Sequence, residues 1–160
     1  MSKKTIIVFS GDFDKMMAAF IIANGAAAMD DEVVMFFTFW GLNAIRKPQP
    51  TPSAVASTKT AVQKMFAAMM PRGAEKLTLS KMNFMGAGLR MMKGVMKKEN
   101  VMTITELIDT AREQGVKFIA CTMSMDVMGI RKEELLDDIE FAGVAAYLGE
   151  ADESNVNLFI

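Results

Sequence analysis

"KTIIVFSGDFDK", Lys4 to Lys15, begins with a β-branched apolar run and breaks at Ser10-Gly11-Asp12. The run Thr5 to Phe9 reads as a buried strand. The Gly-Asp turn then passes the chain to a helix with Asp12 as its N-cap, expected to reach about Met29. "EVVMFFTFWGL" repeats the plan, with a strand from Val33 to Phe37 and a turn opening at Trp40 and Gly41. The unit recurs near the other end of the chain. "VKFIAC" is a strand followed by "TMSMDVM" as a short helix or turn, "IEFAG" a short strand followed by the helix "VAAYLGEA", and "VNLFI" a last strand. Strands joined by helical crossovers run parallel, because parallel neighbours need connections of a dozen or more residues. The pattern predicts one α/β domain over residues 1–160, a three-layer α/β/α sandwich around a mostly parallel sheet of about five strands.

Between the two halves lie less regular stretches. A Pro-rich loop spans 46–57, and a helix over 58–70 is expected from the spacing of Val62, Met65, Phe66 and Met69. A Met-rich helical insertion covers about 80–98. On a helix it would place Met85, Leu89, Met92 and Met96 on one face, with Arg90, Lys93 and Lys97 on another. Thr103 and Glu106 fit a capping box at the start of the next helix, and Gly115 is placed to end it.

Composition removes several functions. Lysine plus arginine number 18 against 19 aspartates and glutamates, so no global field favours nucleic acid. The chain has no histidine, which excludes Ser-His and Cys-His nucleophile pairs, His-ligated zinc and imidazole acid-base catalysis. No cofactor motif is present: "SGDFDK" lacks the glycine spacing of dinucleotide and phosphate loops, and its aspartates would repel a phosphate. A single cysteine forms no internal disulfide and the first residues do not make a signal peptide, so a reducing cytoplasm is expected. The stretch Met16 to Met29 is shorter than the roughly 20 residues a bilayer requires, and reads as a buried helix.

In open parallel sheets, ligands collect beyond the carboxyl ends of the strands. That rule gathers Gly11, Asp12 and Lys15, then Trp40 and Gly41, then Cys121 with Met123, Ser124 and Asp126, as candidate residues at one rim. Cys121, at a strand end before a helix start, is the candidate nucleophile, since helix N–H groups and a lysine such as Lys15 favour a thiolate. The alternative is a small buried hydrophobe. The neighbouring methionines read as core filler, with a soft-metal site from Cys121, Met123 and Met125 the weaker alternative. The basic Met-rich helix reads as a solvated face, or as a docking surface for another subunit, an acidic partner or a membrane interface. Together with that helix, Phe141, Val144 and Tyr147 supply apolar surface for a homo-oligomer.

"SGDFDKMMAAFIIANGAAAM", "VMFFTFWGLNAIRK", the Met-rich middle and "ACTMSMDVMGI" together resemble the DsrE/DsrF-like family, in its longer branch with "FFTFWGL" and C-x-M-S-M-D segments. The resemblance covers nearly the whole chain. It implies a parallel α/β/α fold, oligomers, and a part in cytoplasmic sulfur trafficking as a sulfur carrier or sulfurtransferase subunit. In that role Cys121 would take sulfane sulfur as a persulfide and exchange it with rhodanese-like and TusA-like proteins. A non-catalytic, oligomeric ligand-binding or partner-docking module of the same fold is the alternative. A peroxidatic role is not implied, because Phe118 stands where that chemistry has a threonine and no resolving cysteine is present.

Overall fold

The computed structural model describes residues 1–160 and contains a five-stranded, all-parallel sheet in the order β4-β3-β2-β1-β5. The strands are β1 Lys3–Val8, β2 Glu32–Phe37, β3 Lys117–Cys121, β4 Glu140–Ala142 and β5 Val156–Phe159. The helices are α1 Phe13–Ala27, α2 Ser53–Ala56, α3 Ala61–Met69, α4 Ala87–Lys98, α5 Ile104–Glu113, α6 Thr122–Met128 and α7 Val144–Asp152. The α/β class and the parallel sheet are as expected from the strand-helix alternation. Boundaries shift by up to three residues except in the Met-rich segment, where the helix expected from about residue 80 begins at Ala87, and the Pro-rich loop contains the single turn of α2.

Two faces of the sheet are covered very differently. Ile6, Val8, Met35, Phe37, Phe118 and Ala120 pack with Met16, Phe20 and Ala23 of α1 and with Leu107, Ile108 and Ala111 of α5, in one core of 31 buried residues. On the opposite face Val34, Phe36, Ile119 and Cys121 pack against Tyr147 of α7. The chain steps β1→β2→β3→β4 across the sheet with its helices on the first face. It then returns from β4 to β5 through α7 on the second. Reversing both direction and face keeps every crossover the same hand, as twisted strands require.

Local signals explain the element ends. Thr103 Oγ1 accepts the Glu106 N–H and the Glu106 carboxylate accepts the Thr103 N–H, the expected capping box. Gly115, with φ of 79°, ends α5 as expected. Asp12 occupies the N-cap position of α1, but its side chain makes no cap bond. The carboxylate instead accepts from Ser10 Oγ at 3.1 Å and pairs with Lys15 at 3.1 Å. The Met-rich segment is less regular than expected. Met82, Phe84, Met85 and Gly86 have φ of 56°, 44°, 56° and 94°, so Met85 precedes α4 instead of sharing its face. No residue of α4 is buried.

Tyr147 corrects the expected surface patch: it is buried, with its hydroxyl 3.2 Å from Thr5 Oγ1. Phe141 lies half-buried beneath the Lys132 ammonium, and only Val144 of that trio is exposed.

Candidate functional site

Cys121 ends β3 and directly precedes α6. It pairs in register with Ala142 of β4, the neighbouring strand. The connection after β3 leaves toward the first face, where Met125 and Met128 of α6 join the large core. The connection after β4 leaves through Gly143 toward α7 on the second face. Adjacent parallel strands whose following connections part to opposite faces make the kind of crevice in which α/β sheets bind ligands. Cys121 stands beside that parting. Its side chain faces the second side, among Phe36, Ile119 and Tyr147, and is 3 % exposed.

The other expected rim residues divide into two groups. Gly11, Asp12, Lys15 and Trp40 line one cavity of about 460 Å³ together with Phe9, Ser10, Asn43, Pro71 and Thr78. Close backbone approach builds it. The Gly41 N–H donates to the Phe9 carbonyl at 3.0 Å, and a Cβ on Gly41 would stand 2.0 Å from the Val8 carbonyl oxygen. A Cβ on Gly11 would stand 3.0 Å from Trp40 Cβ and its carbonyl oxygen. Two loops thus touch where only glycine leaves room. Trp40 is stacked on Phe66 of α3, with ring centroids 6.3 Å apart. A strap tightens the same loop. Thr78 accepts the Phe13 N–H at 2.8 Å, and Ser80 donates its N–H and hydroxyl to Asp14. Burial works against the Asp14 carboxylate, but those two bonds hold its pKa below the ordinary value.

Met123, Ser124 and Asp126 do not join that cavity. Ser124 is buried and shares a 2.7 Å hydrogen bond with Thr38 Oγ1 at the end of β2, which fixes α6 against the adjoining strand. Asp126 is exposed, and its main-chain carbonyl accepts from Gln63 of α3 at 2.8 Å. Met123 faces solvent. Met125 and Cys121 belong to different hydrophobic clusters on opposite sides of the sheet, so these residues do not converge as soft-metal ligands. Lys15 pairs with Asp12 in a cavity whose walls exclude Cys121.

Sequence reasoning missed one feature outright. Arg46, Lys59 and Glu134 are all buried and meet Arg72 in a single ionic cluster, Glu134 coming from the charged stretch "RKEELLDD". No sequence signal marks it, because the partners are up to 88 residues apart.

Comparison with known proteins agrees with this fold. The chain is 60% identical over 158 residues to the protein YrkE of Bacillus subtilis, covering 99% of this chain and 96% of that one. It is 36% identical over 162 residues to the sulfur carrier protein DsrE2 of Allochromatium vinosum, covering 99% and 98%. Among solved structures it is similar to the ychN protein of E. coli, with a TM-score of 0.57, 11% identity and full coverage of both chains. It is also similar to MTH1491 of Methanobacterium thermoautotrophicum, with a TM-score of 0.54, 10% identity and 99% coverage of each chain. A family model described as the DsrE/DsrF/DrsH-like family matches residues 1–159, and together with the parallel sheet and its strand-end cysteine this match shows that the chain belongs to the DsrE/DsrF-like family.

Proposed function

We propose that this protein is a sulfur carrier that accepts sulfane sulfur on Cys121. The observation that carries the reading is the position of the chain's only cysteine, at the carboxyl edge of β3 beside the parting of the β3 and β4 connections. Similarity to a protein named as a sulfur carrier supports it. The Cys121 thiolate attacks the outer sulfur of a donor persulfide; a new S–S bond forms as the donor's S–S bond breaks, and the donor thiolate leaves. The second transfer is the same exchange with an acceptor thiol. A lone cysteine suits this relay, because no second thiol in the chain resolves the persulfide to a disulfide. Rhodanese-like and TusA-like proteins are the proposed donors and acceptors, in a reducing compartment. No helix is long and apolar enough to cross a membrane.

Burial of Cys121 favours a second reading, a non-catalytic module that binds a partner or ligand at the rim. Intact-protein mass spectrometry after incubation with thiosulfate plus a rhodanese, or with polysulfide, separates the two. The carrier gains about 32 Da, reversed by reductant, and Cys121→Ser does not. A wild-type protein that gains nothing from either donor overturns the carrier and leaves the binding module.

A further inference from the structure

The chain as a whole carries a net charge of −1, but its charges are not spread evenly. Residues 81–98 hold five cations, Lys81, Arg90, Lys93, Lys97 and Lys98, and the next acid is Glu99. Of the five, Lys93 alone is engaged, by the Glu75 carboxylate at 2.8 Å. The other four are exposed and make no ion pair, which leaves a local excess of positive charge facing water.

The same stretch turns large apolar side chains outward. Phe84 is 71 % exposed, Met91 is 74 % exposed and Met85 is fully exposed, with Met82 and Val95 exposed beside them. Single apolar residues scattered over a surface need no explanation, but these five are concentrated on one loop and the helix that follows it.

Loop and helix are fixed to each other. The Gly86 and Gly88 N–H groups donate to the Asn83 carbonyl at 2.8 and 3.0 Å, and a Cβ on Gly88 would stand 1.8 Å from the Met82 carbonyl oxygen. Along α4, Leu89 and Met96 are partly buried against the core. Met91, Val95 and Lys98 follow one another at helical spacing on the outer side, and Arg90 and Lys97 run along its edge. Apolar and cationic side chains thus share the surface that faces away from the protein.

We propose that residues 81–98 bind the surface of an anionic lipid bilayer. Phe84 and the exposed methionines enter the boundary between headgroups and acyl chains, while the lysine and arginine heads stay at the level of the lipid phosphates. Charge complementarity selects this occupant, since anionic leaflets attract basic segments of this kind. The twelve residues of α4 are too few to span, so the helix lies on the membrane. An acidic protein would answer the same charge, but a docking helix needs a groove for its apolar side. None of the five exposed apolar residues lines one of the larger cavities of the molecule. The surface is independent of sulfur transfer at Cys121.

Co-sedimentation of the full chain with vesicles of phosphatidylcholine, with and without phosphatidylglycerol, tests it. Binding to the anionic vesicles alone is expected, with release at high salt. Lys98→Gln should weaken binding about fivefold. Phe84→Ser should weaken it roughly tenfold by removing the inserted ring. Both positions are exposed, so both variants should fold. Lys64→Gln, on the exposed side of α3, should bind as wild type does, as should Cys121→Ser. Absence of salt-sensitive binding to anionic vesicles, or unchanged binding in both Lys98→Gln and Phe84→Ser, would overturn the proposal. Binding to soluble polyglutamate without binding to vesicles would overturn it too, in favour of an acidic protein.

Discussion

Glu134 shows how one residue's surroundings decide its chemistry. In the sequence it is one acid among several in a charged run; in the fold it is buried among three cations. Burial alone would raise its pKa, but the bonds from Lys59, Thr51 and the Arg131 N–H outweigh that and lower it from 4.5 to about 2. A carboxyl depressed by folding adds stability above its unfolded pKa, and that stability is lost as pH falls through the folded one. Wild-type stability should therefore decline between about pH 5 and pH 2. Glu134→Gln should lose about 3–5 kcal/mol at neutral pH, since it strands buried cations, and should show a shallower decline over that acid range. Urea denaturation at several pH values checks both. A Gln variant as stable as wild type would mean that the cations are solvated without the carboxylate. Cys121 is the opposite case: its type and strand-end position were legible, whereas its burial against Tyr147 depends on a helix that follows β4 and packs on the far face.

At the scale of elements, short-range signals were the reliable ones. The β-branched runs became strands, Thr103 and Glu106 capped α5, and Gly115 ended it, because each depends on contacts within a few residues. Apolar periodicity was followed only in part in the Met-rich helix, where Leu89 and Met96 of the expected face pack partly buried against the core while Met92 stays exposed. The helix α4 has no buried residue, and the chain ahead of it is kinked by successive left-handed residues. Few buried contacts hold α4 down, so it should open locally well below the global unfolding free energy. Gly94 lies within this helix, and a Cβ added there would meet nothing within 4 Å. Gly94→Ala should stabilise α4 by roughly 0.5–1 kcal/mol, by removing unfolded-state freedom without a clash. Hydrogen exchange should slow over residues 87–98 and stay unchanged in β1–β3; slowing across the whole protein would mean that α4 unfolds only with the core.

For the whole molecule, the uneven covering of the sheet carries the main consequence. One face is sealed by α1 and α5, while the other is crossed by α7 alone, a helix of nine residues. At the open end Phe9 and Phe159 lie 5.6 Å apart, and Phe159 is 68 % exposed. Val144 and Leu148 on the outer side of α7 are exposed as well. Apolar surface of this kind marks a contact site, and a second copy of the chain is the proposed occupant, as a homo-oligomer. Native mass spectrometry should give a multiple of 17.6 kDa, reduced in Phe159→Asp; a monomeric wild type would count against self-association. By itself the sequence determined the α/β class, the order of strands and helices, and the strand-end position of Cys121, because strand runs, caps and breaks are local properties of the chain. Tertiary structure alone decided that the rim residues divide into two groups, that Cys121 is buried behind α7, and that Glu134 gathers three cations. Those outcomes depend on which face each crossover takes and on contacts between residues many tens of positions apart, and no local pattern encodes either.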